Sequence, residues 1–242
     1  LPDVDGHYAY SALMKPGDGF NNLMTTRTIT DSFDEFKGLP IHITEFNTSY
    51  TPQGVLHDTN LNAALIAQQL SRLGDVNESY SYWTFGDVFE EKGVPFTPFH
   101  GGFGLLANGS IRKPTYFTFL FFKELKKKLT NCLCKNDYAV IGKTKNGYAG
   151  VLWNTGLEDM TLNIELPLEG AQASFLIKTV DEDTCNPLKI WHELGEPANP
   201  DKETVSLLRE AAKPAISTNL VDIKDGKTTA SFLIKKSGVM VN

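Results

Sequence analysis

The apolar positions change their period partway along the chain. Up to about residue 129, two kinds of segment alternate. "LPIHITEF" (39–46) places Ile41, Ile43 and their neighbours in a short apolar run, and reads as a buried strand that delivers Glu45 to a polar turn, "NTSY". "HDTNLNAALIAQQLSRLGD" carries Leu61, Leu65, Ile66, Leu70 and Leu73 at helical spacing, with Asp58 or Thr59 as its cap and Gly74 at C′. "ESYSYWTF" returns to a strand, and "KPTYFTFLFFKELKKKL" reads as a helix with Pro114 near its first position. Strand, helix, strand, helix predicts a parallel α/β arrangement.

From about residue 137 the segments become short and alternate with period two. "DYAVIGKTKNGYAGVLWN" predicts a hairpin turning at Asn146-Gly147. "MTLNIELPL" sets Met160, Leu162, Ile164 and Leu166 against polar partners, and "ASFLIKTV" and "TASFLIKK" read similarly. One helical segment, "DKETVSLLREAAKP", is closed by Pro214. Such short strands with turn residues between them predict a β-sandwich, with the boundary near 128–137. The first half holds only two or three parallel strands, whereas parallel sheets are covered on both faces and have more. The expectation is that the remaining strands lie upstream or come from another chain.

Composition narrows the class. Of 242 residues, 41% are hydrophobic and 21% charged, ordinary for a globular protein. A formal net charge of −6 disfavours a nucleic-acid surface, which needs a basic patch. The one basic cluster, "KELKKK" at 123–128, falls where it complements a helix dipole. Cys132, Cys134 and Cys185 contain no Cys-x-x-Cys pair and read as reduced structural thiols, with no metal site expected. No run reaches the ~18 apolar residues of a membrane span.

The candidate chemistry sits at strand ends. Glu45 ends one strand, Trp83 occupies the corresponding place on the next, and "GDVFEEKGVPF" adds Asp87, Glu90 and Glu91. Acids beside aromatic residues and the polar groups of Asn47, Thr48, Ser49 and Tyr50 suit a sugar, whose hydroxyls donate to carboxylates and whose apolar faces stack on rings. The pattern alone leaves a second reading open, in which Glu45 caps a turn and Trp83 fills the core. Trp153 and Trp191 read as packing residues rather than a stacking platform.

Five ordered segments, "HITEFNTSY", "LHDTNLNAALIA", "SYSYWTFGDVFEE", "FHGGFGLL" and "RKPTYFTFLFF", together resemble glycoside hydrolase family 39, and within it the β-xylosidases. The likeness continues through "CNPLKIWHELGEPANPDKETVSLLREAAKP". It implies a (β/α)8 TIM barrel followed by a β-sandwich domain, with residues 1–130 supplying the last barrel strands and helices and 131–242 the accessory sandwich. It implies Glu45 as catalytic nucleophile, Trp83 as the floor of the sugar site, and Glu91, with Glu90 beside it, as a loop acid binding hydroxyls. In "DGHYAYS", Tyr10 takes the tyrosine of the family's His-x-Tyr pair; Tyr8 stands where its histidine is expected, and His7 one residue earlier.

A retaining glycosidase needs a second carboxyl about 5–5.5 Å from the first. The family's Asn-Glu-Pro acid/base motif does not occur in this sequence. The implied activity is release of terminal xylose from β-1,4-xylo-oligosaccharides, by a chain that carries the nucleophile only and is inactive alone. No cofactor is implied. The implied partners are a xyloside substrate, with no nucleic acid and no membrane, and either a homo-oligomer or a complementing N-terminal barrel part. The implied setting is the bacterial cytoplasm. Two other readings stay open: another family 39 glycosidase, such as an α-iduronidase using Lys92 or Arg112 against a carboxylate, or a β-glucosidase; and a sugar-sensing domain of a transcriptional regulator.

Overall fold

A computed structural model describes residues 18–88, 93 and 95–241. The first element is helix α1 (Asp18–Asp31), in a stretch too rich in threonine to show a helical period. The hydroxyls of Thr25, Thr26, Thr28 and Thr30 bond back to carbonyls four residues earlier, and Arg27 pairs with Asp31 at 3.1 Å. Strand β1 (His42–Phe46), a 3-10 turn (Val55–Asp58), helix α2 (Asn60–Arg72) and strand β2 (Ser79–Tyr82) follow. β1 and β2 pair in parallel, with Ile43 opposite Tyr80 and Phe46 opposite Tyr82.

Thr59 caps α2 by accepting from the Asn62 amide, and Gly74 ends it at φ +92°. The expectation that β1 is buried is not met: His42, Thr44 and Glu45 are exposed and only Ile43 and Phe46 are half-buried. β2 is its only sheet partner among the described residues.

Two short strands, β3 (Leu106–Ala107) and β4 (Ile111–Arg112), lead into helix α3 (Pro114–Lys128). α3 passes without a linker into β5 (Leu129–Lys135), and β6 (Ala139–Thr144), β7 (Gly147–Trp153), β8 (Met160–Pro167) and β9 (Gln172–Val180) follow. Helices α4 (Pro187–Glu193) and α5 (Lys202–Ala211) precede β10 (Ala215–Asp222), β11 (Lys227–Ile234) and β12 (Val239–Val241). The hairpin turns one residue earlier than expected. Thr144 pairs with Gly147, so Lys145 and Asn146 form the loop and Gly147 opens β7.

Six strands form one antiparallel sheet in the order β10-β9-β12-β7-β6-β5, and β11 pairs with β8. The two sheets meet across a core that includes Phe175, Ile177, Leu152, Leu166, Phe232 and Ile234. The other face of the larger sheet packs through Val151, Trp153 and Val239 on Phe117, Phe121 and Leu125 of α3 and the alanines Ala63, Ala64 and Ala67 of α2. A third core joins Phe99 and Ile111 to Trp191, Leu208 and Ala212 of the α4–α5 insert. These positions bury apolar side chains on one face of each element, which is what removes them from water.

Candidate active site

The site forms where β1 and β2 end side by side. Glu45 is exposed, and its neighbour Phe46 accepts a backbone hydrogen bond from Trp83 at 3.0 Å, so Glu45 and Trp83 flank one strand junction. Trp83 is 36% exposed. Among the described residues no ion pair or hydrogen bond engages the Glu45 carboxylate.

The turn after Glu45 is pinned by side chains that accept and donate in fixed directions. Asn47 Nδ2 donates to the Trp83 carbonyl at 2.5 Å and to the Phe103 carbonyl at 3.4 Å, while its Oδ1 accepts from the Thr48 amide at 2.7 Å. Buried Thr48 donates to Asn62 Oδ1 at 2.5 Å. Asn62, also buried, donates to Thr115 at 2.9 Å and to the Tyr82 hydroxyl at 3.4 Å. Burial pushes the Tyr82 phenol up to about 12.

Ser49 meets His57 Nε2 at 3.0 Å, and His57 Nδ1 faces the Gly101 carbonyl at 2.9 Å. A carbonyl only accepts, so the hydrogen-bond network assigns the proton to Nδ1 and leaves Nε2 to accept from Ser49. Burial holds the His57 pKa below its ordinary 6.5.

Beneath this turn lies a buried ion cluster. Lys113 Nζ is 2.5 Å from Asp58 Oδ1, 2.6 Å from Asp87 Oδ2 and 2.8 Å from the Gly102 carbonyl. The remaining oxygens are also satisfied: Asp58 Oδ2 accepts from the Gly101 amide and Asp87 Oδ1 from the Gly104 amide, each at 2.6 Å. Burial lifts Asp87 above the usual carboxylate range, with Lys113 opposing it. Burial pulls Lys113 down, but Asp58 and Asp87 outweigh it and hold its ammonium above the usual value.

The packing explains the glycines of "HGGFG". A Cβ at Gly102 would collide with the Asp87 carboxylate, and one at Gly101 would lie 2.5 Å from the Gly54 carbonyl carbon.

The expected site residues therefore divide. Glu45 and Trp83 come together. Asp87, expected to join the acidic loop, is instead buried against Lys113, because a desolvated carboxylate needs a counter-charge and donors. Asp58 is turned to Lys113 and leaves the capping of α2 to Thr59.

His7, Tyr8, Tyr10, Glu90, Glu91 and Lys92 lie outside the described residues. Arg112 is exposed, its guanidinium 5.1 Å from the Tyr116 ring centroid. Trp153 and Trp191 are buried in separate cores, in line with the packing reading. Asn47, expected among the sugar-facing polar groups, spends its amide on the Trp83 and Phe103 carbonyls, and the sequence gives no sign of the parts taken by His57 and Lys113.

Among the described residues no group of three or more His, Cys, Asp or Glu side chains is placed to hold a metal ion, and the three cysteines are free. No helix among them is long and apolar enough to cross a membrane.

Comparison with known proteins places the chain in a family. Residues 5–229 match the family described as Glycosyl hydrolases family 39. The chain is 38% identical over 239 residues to a beta-xylosidase of Geobacillus stearothermophilus, covering 96% of this chain and 46% of the relative. It is 32% identical over 201 residues to a beta-xylosidase of Caldicellulosiruptor saccharolyticus, covering 76% and 40%. It thus spans less than half the length of these curated relatives.

Its fold superposes on the GH39 enzyme from Xanthomonas axonopodis pv. citri with a TM-score of 0.81 at 22% identity, over 99% of this chain and 51% of that one. A monomeric beta-xylosidase from Caulobacter crescentus CB15 gives 0.79 at 24% identity, over 94% and 49%.

Proposed function

Because the chain belongs to the glycosyl hydrolases of family 39, we propose that it is the C-terminal part of a retaining β-xylosidase that releases terminal xylose from β-1,4-xylo-oligosaccharides. In this reading residues 1–130 are the last strands and helices of a (β/α)8 barrel, and 131–242 form the β-sandwich domain. The parallel pairing of β1 with β2 across helix α2 supports the first assignment, and the two sheets facing each other across a shared core support the second.

One observation carries the chemistry: an exposed carboxylate, Glu45, at the end of a parallel strand beside Trp83. Glu45 Oε attacks the anomeric carbon of the terminal xylose, forming an ester bond while the bond to the leaving oxygen breaks. A carboxylic acid supplied from outside this chain gives its proton to that oxygen. Its carboxylate then takes a proton from water, the water oxygen bonds to the anomeric carbon, and Glu45 departs, giving retention.

Trp83 offers the indole on which the apolar sugar face rests, and His7, Tyr10, Glu90 and Glu91 bind its hydroxyls. The bonds of Asn47 and His57 hold the turn after Glu45 in place before substrate arrives. The partner is the remainder of the barrel, in the same polypeptide or a separate one.

Turnover of an aryl β-xyloside tests this. The 242-residue chain alone is expected to be inactive, since general-acid assistance is typically worth about 10²–10⁴-fold. The complete polypeptide is expected to turn over with retention. Glu45→Gln should then lower kcat by on the order of 10⁴ or more, the scale of losing a nucleophile. Normal rates from the chain alone would sink the missing-acid account, and full activity in Glu45→Gln would sink the nucleophile.

A further inference from the structure

We infer that Lys113 is a positioning residue for the sugar site, a buried ammonium that sets Trp83 and the turn after Glu45 through the Gly101–Gly104 segment. This rests on the reading of Glu45 and Trp83 as glycosidase groups. Lys113 is the N-cap residue of α3 but makes no side-chain cap bond. Its side chain runs the other way and ties three separate segments together: Asp58 before α2, Asp87 after β2, and the Gly102 carbonyl. The ammonium and both carboxylates are each at most 4% exposed. Two buried negative charges face one positive, so the arrangement holds only while the ammonium and the glycine amides are in register.

Two lines of contact run from this cluster to the site. Gly101, whose amide is held by Asp58, presents its carbonyl to His57, and His57 holds Ser49 in the turn after Glu45. On the other side Asp87 holds the Gly104 amide, next to Phe103. The Phe103 carbonyl accepts from Thr84 at 3.1 Å and from Asn47 at 3.4 Å, and Leu105 donates to the Thr84 carbonyl at 3.0 Å. Trp83 is therefore bracketed by groups whose positions trace back to one ammonium. Replacing a buried ion cluster by apolar packing of the same shape is often neutral or stabilising, so the role inferred for this one is directional constraint. Here the constraint ends on the groups that would meet the sugar.

Lys113→Met alone strands two buried carboxylates and invites unfolding. The decisive variant is therefore Lys113→Met/Asp58→Asn/Asp87→Asn, which keeps volume and glycine acceptors, removes all three charges and deletes the bond to Gly102. In the 242-residue chain, indole N–H resonances provide one readout: that of Trp83 should shift while that of Trp153 stays, at unchanged melting temperature. In the complete polypeptide, KM for an aryl β-xyloside should rise about tenfold or more with kcat within about threefold, the pattern of lost platform binding.

An unmoved Trp83 resonance with unchanged KM overturns the inference. So does a lowered melting temperature with both resonances displaced, which would make Lys113 a stability residue only. If Glu45→Gln keeps full turnover, the glycosidase reading fails, while the Trp83 resonance still judges the clamp.

Discussion

His57 shows how a single side chain can make the site answer to pH. Its ring is buried, its Nδ1 proton is spent on the Gly101 carbonyl, and protonating Nε2 would break its acceptance from Ser49. Its folded pKa lies below 6.5, the value it regains on unfolding. Between those two values the unfolded chain binds the extra proton and the folded chain does not, so stability rises with pH there. The His57 contribution is whole above about pH 6.5 and is lost as pH falls through the folded value. Each pH unit inside that window costs at most about 1.4 kcal/mol. Asp87 works in the opposite sense, its raised carboxyl favouring the fold at lower pH, but its window opens only above 3.8 and its burial is shared with Lys113. Melting temperatures measured from pH 7.5 downward should therefore fall in the wild type below pH 6.5 and stay flatter in His57→Gln. Parallel curves for the two proteins would show that this imidazole does not titrate as described.

At the scale of elements, the loop from Phe99 to Leu105 is shaped by where backbones must approach. Gly101 and Gly38 share φ +74°, yet a Cβ at Gly38 meets nothing within 4 Å, whereas one at Gly101 meets Gly54 backbone at 2.5 Å. Gly38→Ala should cost only the left-handed strain of about 1–3 kcal/mol, while Gly101→Ala adds a collision between backbones and should cost about 3 kcal/mol or more. Urea midpoints of the two variants would separate strain from clash, and equal shifts would refute the difference. The same contrast explains what could be read from the sequence. Helices α2, α3 and α5 carry long period-3.6 stripes or clear caps, and β2, β6 and β7 carry strand signals, so the string of residues announces them. Helix α1 is written in threonines whose hydroxyls stabilise it only after it forms, and α4 is seven residues long, too short for a period to emerge. Glu45 and Trp83 could be picked out as candidates because strand ends are local features. The bonds that fix them were not: Asn47 reaches a carbonyl 36 residues away, and His57 one 44 away. A histidine before an aspartate looks like a helix start until the distant chain is folded against it.

For the whole molecule, the question is whether the change of texture near residue 130 marks two units that unfold separately. The contacts argue against it. The core under α3 draws Phe117, Phe121 and Leu125 from before that point and Val151, Trp153 and Val239 from after it. Asn60 donates to the Ser237 carbonyl at 3.0 Å, and Lys178 pairs with Glu124 at 3.0 Å. The α4–α5 insert reaches back through Trp191 and Leu208 to Phe99 and Ile111, and Arg209 donates to the Gly109 carbonyl at 2.9 Å. Separating the halves would return these large apolar side chains to water, at about 1.5–3 kcal/mol each. With so much burial shared, neither half reaches its native free energy without the other, and calorimetry of the 242-residue chain should give one transition whose van't Hoff and calorimetric enthalpies agree. Phe121→Ala, in the shared core at 0% exposure, should cost about 3–5 kcal/mol. At this chain length that moves the single melting temperature down by on the order of 10 °C, with far-UV ellipticity and Trp fluorescence falling together. Two resolved transitions, only one of them displaced by Phe121→Ala, would mean that the strands after residue 130 stand without the helices before it.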